Sequence, residues 1–438
     1  MLALQDFLRQ RLALLALPVL TFTALWAVLS LLNGSPASGG SESTEAGPAA
    51  GDTDAAIQNL RAAVNADPSD AHHYALLGDG YYARARESGD PADIERAERA
   101  YDTSLAGDPD DVTAVSGLAT VALSRHNFAD GLELARRAHR LEPALVAPYA
   151  SLVDGLIETG RYGGAARALN QMVGRKPNLA AYSRISYFRE LHGDLGGAAQ
   201  ALRLATSAGS GTAEGNAFVR SLLGDLEADR GRYGAAERAY REALAVDPQF
   251  ASARAGLAHL QAGRGQLDPA IAKLRGVVGD PPSPDALARL AEVEQAAGDT
   301  AAARRHYAAS GERERELLAS GSHADAGVTL FEAEHGRPAR AVRLGRRAWQ
   351  AAPSVSAADA YSWALHRAGR TSAASRLSAE AMRLGSRDPQ FLFHAGMVAR
   401  ASGRLDEAKR LLGLLLEQNP RFSPLYGPRA KAVLRELG

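Results

Sequence analysis

A period of 34 residues runs through most of this sequence and limits its possible folds more than any other feature. The tripeptide Gly-Arg-Tyr occurs at residues 160–162 and again at 231–233, each time followed three residues later by alanine. Pro109, Pro143 and Pro177 are also spaced 34 residues apart. A unit of this length is too small to bury its apolar side alone. The period therefore predicts helical hairpins stacked into an array.

One unit of the period explains why two helices are expected in it. Tyr149, Val153 and Leu156 follow one another at spacings of four and three residues, which places them on one face of a first helix. Gly160 then suits the left-handed backbone with which many helices end. Pro177 ends the second helix because it lacks an amide hydrogen and restrains the residue before it. The sequence therefore predicts an all-α chain of helical hairpins.

The order of residues within the unit resembles the tetratricopeptide repeat family, whose pattern is a bulky residue, Leu-Gly, Tyr, Ala, a large aromatic, Ala and Pro. The clearest match consists of Leu223, Gly224, Gly231, Ala236, Tyr240, Ala243 and Pro248. The resemblance implies a right-handed superhelical solenoid of about ten repeats over residues 52–438, with a capping helix at 429–437. It also implies an open, curved groove as the binding surface. The charged run 312–316 is expected on an exposed, extended second helix.

A separate segment is expected ahead of the repeats. Residues 12–32 contain no charged side chain, and these 21 residues are enough for a helix to span a bilayer. Arg9 and Arg11 precede the segment and acidic residues follow it, which favours a cytoplasmic amino terminus at residues 1–11. Residues 33–51 are rich in Ser, Gly, Pro and Glu and predict a flexible linker. We therefore expect a single-pass transmembrane signal-anchor with the repeats outside the cytoplasm.

Two other fates of this segment stay open. The small residues at 35–37 offer a site for signal peptidase, and cleavage there would release the repeats as a secreted protein. The apolar run of 21 residues exceeds the usual signal-peptide core of about 7 to 15 residues, which favours the anchor. The opposite topology would leave the repeats in the cytoplasm.

Composition excludes several classes of function. The 50 basic residues are balanced by 50 acidic residues, so no large positive field is available to hold nucleic acid. The absence of cysteine excludes disulfides, thiolate nucleophiles and thiolate metal sites. Phosphate-binding loops, zinc-protease motifs and nucleophile elbows are absent as well, so we expect no enzyme activity, cofactor or bound metal. Scarce lysine with abundant alanine and glycine indicates a bacterial source.

The family resemblance further implies which positions of the first helices face the groove. In the early and middle repeats these positions are mostly acidic: Asp79, Tyr82, Asp154, Glu158, Tyr187, Asp225 and Asp229. In the late repeats they are aromatic, basic or apolar: His323, Trp363, His366, Phe393 and Met397. The acidic wall predicts a basic or neutral partner segment whose binding weakens with salt.

These features predict a non-catalytic, membrane-anchored scaffold that binds a protein or peptide partner through its groove. The expected process is the assembly or stability of an envelope complex. One alternative is a self-assembling structural protein in which Trp363 or Phe393 packs against another copy, and the oligomeric state is left open. A second alternative is a metal-handling envelope accessory that uses some of its 11 histidines.

Overall fold

The computed structural model describes residues 52–88, 90–279 and 282–438, and all regular structure in these residues is α-helical. The predicted anchor at 12–32 and the linker at 33–51 lie outside the described residues. The first eleven helices are α1 (Asp52–Ala66), α2 (Ala71–Ser88), α3 (Pro91–Gly107), α4 (Val112–Ser124), α5 (Phe128–Leu141), α6 (Ala147–Glu158), α7 (Tyr162–Arg175), α8 (Leu179–Leu191), α9 (Leu195–Ala208), α10 (Ala213–Asp229) and α11 (Tyr233–Val246). The others are α12 (Ala251–Gly263), α13 (Leu267–Arg275), α14 (Pro284–Ala296), α15 (Thr300–Ala319), α16 (Ala326–His335), α17 (Pro338–Ala351), α18 (Val355–Arg367), α19 (Thr371–Ala381), α20 (Pro389–Ala401), α21 (Leu405–Gln418) and α22 (Tyr426–Glu436).

Helices α2 to α21 form ten successive hairpins, preceded by the single helix α1 and followed by the single helix α22. The first helix of each hairpin has an even number and the second an odd number. This arrangement confirms the predicted all-α array of helical hairpins.

Local sequence explains where many of these helices begin. Asp111, Asn178 and Asp299 each precede a first residue, and their side-chain oxygens accept a hydrogen bond from an amide of the first turn. Such caps satisfy amides that have no partner within the helix. Between the two helices of a hairpin, the turn at Gly160 has a φ of 71° and the turn at Gly231 a φ of 69°. Glycine adopts this left-handed conformation without the steric cost of a Cβ.

The hairpins interlock through a tyrosine on the second helix and a glycine on each of two first helices. Tyr240 on α11 lies against Gly224 of its own hairpin and Gly256 of the next, and a Cβ at either glycine would approach its ring more closely than 3.0 Å. Real Cβ atoms essentially never come that close to another heavy atom. Tyr101 makes the same arrangement with Gly78 and Gly117. The small residues of the motif therefore allow first helices to pack around a buried aromatic ring.

The array coils back on itself, so that late hairpins pack against early ones. The hydroxyl of Tyr162 accepts a hydrogen bond from the amide of Val355 at 2.8 Å, across 193 residues. The hydroxyl of Tyr233 lies 2.6 Å from the side-chain oxygen of Asn419, across 186 residues. The amide of His323 likewise donates to the carbonyl of an early turn. We call the Tyr162 and Tyr233 contacts the two coil contacts.

Both copies of the Gly-Arg-Tyr tripeptide form a coil contact. A Cβ at Gly160 would lie closer than 3.0 Å to the carbonyl oxygen of Pro353, and a Cβ at Gly231 would lie as close to the carbonyl oxygen of Gln418. Each tyrosine ring also lies beneath a guanidinium group from the late hairpins, at 5.1 Å for Tyr162 and 5.3 Å for Tyr233. The tripeptide thus forms the turn within its hairpin and also contacts a loop of the late hairpins.

This coiling closes much of the groove that was expected to be open. The apolar core formed by α6, α7 and α8 also contains Val355, Ala358 and Phe391 from the late hairpins. The amino-terminal ends of α18 and α20 therefore pack against the early hairpins. The expectation of a groove open along the whole array is wrong, because the family resemblance does not specify how tightly the array winds.

Candidate functional site

Two adjoining cavities remain inside the coil, and we call them the larger and the smaller cavity. Their volumes are about 460 and 290 Å³. Both are lined by residues of α10, α12, α14, α15 and α16. Asp225, Asp285, Arg289 and Glu314 line both cavities, which therefore share a wall or opening. Cavities of this size admit a small molecule or a few side chains of a peptide.

The larger cavity combines apolar walls with carboxylates. Apolar atoms come from residues such as Phe218, Leu222 and Leu317, and carboxylates from Glu190, Asp225, Asp285, Glu314 and Asp325. Burial raises the pKa of Glu190 to about 8, although a hydrogen bond of 2.8 Å from the Ser186 hydroxyl opposes this effect. Burial also raises the pKa of Glu314 to about 8, assisted by the negative charge of Asp325.

The smaller cavity is lined by aromatic rings and by carboxylates. The rings belong to Tyr240, Tyr307, Phe331, Phe393, Phe422 and Tyr426. The carboxylates belong to Asp225, Asp229, Asp285, Glu292, Glu314 and Glu334. This lining can accept hydrogen bonds from a positively charged group and pack around its apolar stem.

Asp225 and Asp229 lie four residues apart on α10, so both side chains point to the smaller cavity. Burial raises the pKa of Asp225 to about 6, and a 2.7 Å hydrogen bond from the hydroxyl of Tyr240 opposes this effect. Asp229 is 8% exposed, and its Oδ2 has no hydrogen-bond partner. Burial raises its pKa well above the ordinary value, and the charges of Asp388 and Asp225 raise it further.

Arg289 on α14 lines both cavities and is the only arginine that the structure places on the smaller one. Its positive charge lowers the pKa of Asp225 and of Asp229, but less than burial raises them. Among the described residues Arg289 forms no ion pair within 4.0 Å. The carboxylates of this lining therefore outnumber its permanent positive charges.

Four of the residues predicted for the groove line the cavities. Asp225, Asp229 and Phe393 lie on the smaller cavity, while His323 and again Asp225 lie on the larger one. Their role in binding stays a prediction.

The early acidic residues of the predicted groove are instead used within the protein. Arg184 donates two hydrogen bonds to Asp154, at 2.9 and 2.7 Å, and both side chains are buried. The hydroxyl of Tyr187 donates to Glu158 at 3.0 Å, and burial raises the pKa of Glu158 to about 8. Both Asp79 and Tyr82 also lie away from the two cavities, with Asp79 accepting a hydrogen bond of 2.7 Å from Tyr101.

The late aromatic residues of the predicted groove form part of the core. Trp363 is 0% exposed, and its ring stacks on His366 at 4.9 Å and on His394 at 4.2 Å. Its indole nitrogen donates to Glu334. Burial lowers the pKa of His366 to about 4, and Met397 is buried too. The exposure expected for Trp363 is not found, because the neighbouring late hairpins pack around its ring.

The sequence pattern did not point to Arg289, Tyr307 or Glu314. The last two lie on α15, a second helix of 20 residues whose extension was predicted from the spacing of the repeats. That helix was expected to be exposed, yet Glu314 lines both cavities. Second helices usually form the outer surface of such an array, so only the unusual length of α15 could have indicated its contribution to the interior.

Residues 52–88, 90–279 and 282–438 contain neither a membrane-spanning helix nor a cluster of metal-binding side chains. In this part of the chain no helix is both long and apolar enough to cross a membrane. Nor do these residues bring three or more histidine, aspartate or glutamate side chains together in a group that could hold a metal ion.

Comparison of the sequence with protein families gives two matches, both to models described as tetratricopeptide repeat. One covers residues 82–144 and the other residues 227–278. The first spans α3 to α5 and the second spans α11 to α13, which are helices of the hairpin array. No curated protein matches the chain.

Comparison of the fold with solved structures gives several partial similarities. Two structures of a human IFIT1 dimer, one with PPP-AAAA and one with m7Gppp-AAAA, are both 15% identical to this chain. The first covers 79% of this chain and 72% of its own, with a TM-score of 0.48. The second covers 72% of each chain, with a TM-score of 0.49. YrrB, described as a TPR protein with an unusual peptide-binding site, is 18% identical and covers 45% of this chain and 97% of its own, with a TM-score of 0.30.

Proposed function

Since this chain is a member of the tetratricopeptide repeat superfamily, we propose that it is a non-catalytic scaffold that holds a segment of a partner protein or peptide in its two cavities. The observation that carries the proposal is the pair of adjoining cavities inside the coil. Late hairpins pack against α6, α7 and α8 elsewhere in the coil. We therefore assign the partner to the space that the two cavities leave inside the coil.

The partner segment is basic or neutral in this proposal. Five carboxylates line the larger cavity and six line the smaller one. Burial in this lining raises the pKa of Glu190, Glu314 and Asp229, so further negative charge is disfavoured there and an acidic segment would be rejected. A nucleic acid is not the proposed ligand, because the net charge of the chain is zero and the cavity lining is acidic.

The scaffold acts at the cytoplasmic membrane, outside the cytoplasm, in the assembly or stability of an envelope complex. Support for this location comes from the uncharged run 12–32 and from Arg9 and Arg11 before it. Secretion after cleavage near residues 35–37 is the alternative. A reporter enzyme that is active only outside the cytoplasm, fused after Gly438, tests the orientation, and an inactive fusion would contradict it. The mass of the mature chain separates the anchored form from the cleaved form.

Site-specific photocrosslinking in native membranes tests the binding role. A photoreactive amino acid replaces Leu317, which lines the larger cavity, in one variant. In the control variant it replaces Leu204, which is 44% exposed and belongs to neither cavity. Mass spectrometry of the crosslinked products identifies the partner.

We expect one protein to be captured from position 317 and not from position 204. Equal capture at both positions, or none at 317, would contradict binding in the cavities. Capture of a second copy of this chain would support the self-assembling alternative instead.

A further inference from the structure

We infer that the smaller cavity is a binding site for an organic cation, namely the ammonium or guanidinium group of a lysine or arginine side chain in the bound segment. This inference rests on the proposed function, because it assigns one part of that site to one kind of side chain. Asp229 is the group that would receive the cation.

The Asp229 side chain is buried and has an oxygen without a hydrogen-bond partner, as expected of a residue that binds a ligand. It is more than nine-tenths buried, it lines the smaller cavity, and its Oδ2 accepts no hydrogen bond. A buried polar atom without a partner is unfavourable, and more so when the group is charged. A cation in the cavity would offset the cost of burying the Asp229 carboxylate.

Most other carboxylates of the same lining already have partners within the protein. Tyr240 donates to Asp225 at 2.7 Å, and Ser423 donates to Glu292 at 2.5 Å. Glu334 accepts hydrogen bonds from Trp363 and, at 2.9 Å, from Arg367. The Glu314 side chain resembles that of Asp229 in forming no hydrogen bond or ion pair with a described residue. Two carboxylates of this cavity are therefore available to a ligand.

The aromatic lining suits the stem and the charge of such a side chain. Rings of Tyr307, Phe331, Phe393 and Tyr426 lie around the smaller cavity. An aromatic face attracts a cation by about 0.5–2 kcal/mol and packs well against methylene groups. A volume of about 290 Å³ suits one or two side chains rather than a folded element.

An inorganic cation fits this cavity less well than an organic one. A divalent ion takes several oxygen ligands at once, and the described residues contain no group of three or more suitable side chains that could hold one. A cation on a flexible stem needs only one or two carboxylates and an apolar wall. Asp229, Glu314 and the surrounding rings supply these.

Isothermal titration calorimetry on the full-length protein tests the inference. The probes are blocked pentapeptides with arginine, lysine, citrulline or norleucine between alanines, together with free agmatine. Citrulline keeps the shape of arginine without its charge. The variant is Asp229→Asn, and the control is Asp406→Asn, which removes an exposed aspartate away from both cavities. Thermal unfolding checks that both variants fold.

We expect the arginine and lysine peptides to bind at least tenfold more tightly than the citrulline and norleucine peptides. Asp229→Asn should remove that preference, since loss of one partner of a buried charge pair costs at least tenfold in affinity, while Asp406→Asn should preserve it. Equal binding of charged and uncharged peptides would overturn the inference and leave the proposed function standing. Binding of agmatine alone, dependent on Asp229, would support the cation site and count against a peptide partner. Absence of binding by every probe would overturn the inference.

Discussion

Replacing Gly160 by alanine should disrupt one coil contact, and Gly369 provides a matched control. The two glycines have φ values of 71° and 72°, so alanine meets the same backbone strain at both positions. At Gly369 nothing lies within 4 Å of the added Cβ, whereas at Gly160 the carbonyl of Pro353 occupies its place. The difference between the two variants therefore isolates the contact between early and late hairpins.

The expected destabilisation follows from these contacts. A non-glycine residue in the left-handed region costs about 1–2 kcal/mol, which is the whole effect expected at Gly369. At Gly160 the loop at Pro353 must also retreat, which breaks the hydrogen bond from Val355 to Tyr162 and loosens Arg383 above the Tyr162 ring. These two interactions contribute about 1 and about 0.5–1 kcal/mol. We therefore expect Gly160→Ala to cost about 2.5–4 kcal/mol in free energy of unfolding.

Urea unfolding of the purified protein, followed by circular dichroism, measures both values. The excess for Gly160→Ala over Gly369→Ala should be about 1.5–2 kcal/mol, well above the error of such measurements. If the two variants lose the same stability within about 0.5 kcal/mol, the coil contact at Tyr162 does not stabilise the fold. In that case the late hairpins would not be held against the early ones as described.

Three further variants test the packing and the buried charges. Tyr233→Phe removes the hydroxyl beside Asn419 and should lower the free energy of unfolding by about 1 kcal/mol; an unchanged urea midpoint would contradict the second coil contact. Arg184→Ala leaves Asp154 buried without its partner and should cost about 3–5 kcal/mol, whereas the variant that also carries Asp154→Ala should recover part of this loss; no recovery would mean that the arginine acts through packing alone. Burial raises the pKa of Glu190 from 4.5 to about 8, so the folded state holds this proton more tightly than the unfolded state, and stability falls as the pH rises through this range. Glu190→Gln cannot ionise and should be more stable than the parent protein at pH 9 but not at pH 4 in thermal unfolding, and an equal effect at both pH values would contradict the assignment.

Local features of the fold follow from the sequence because they depend on neighbouring residues. The apolar spacing of Tyr149 to Leu156, the turn at Gly160 and the stop at Pro177 predict a hairpin whose helices are found at α6 and α7. An extended second helix through residues 312–316 and a capping helix at 429–437 were also expected, and α15 and α22 lie at these places. Each of these depends on contacts within one or two repeats.

The winding of the array could not be predicted in the same way. Each hairpin is rotated by a small angle relative to its neighbour, and the position of a late hairpin depends on the sum of many such rotations. No residue near Tyr162 indicates that its hydroxyl will meet Val355, which is 193 residues away. The burial of Trp363 has a local cause, because side chains of the adjacent late hairpins surround it, so its motif position alone was misleading.

Only part of the candidate site could be predicted, because only some of its residues lie at positions that the repeat pattern assigns to the inside. Asp225 and Asp229 lie on a first helix whose inward face follows from the repeat pattern, and both line the smaller cavity. Glu314 and Tyr307 lie on a second helix, which the pattern assigns to the outside. Their place in the cavity depends on the length of α15 and on the coil that surrounds it.

The two coil contacts have a mechanical consequence. An array whose repeats touch only their neighbours lengthens gradually when its ends are pulled apart, as a slack spring does. Here the hydrogen bonds of Tyr162 and Tyr233 hold late hairpins against early ones, so a force that pulls the chain ends apart must first break these contacts. The molecule should therefore resist stretching up to a threshold force and then extend abruptly.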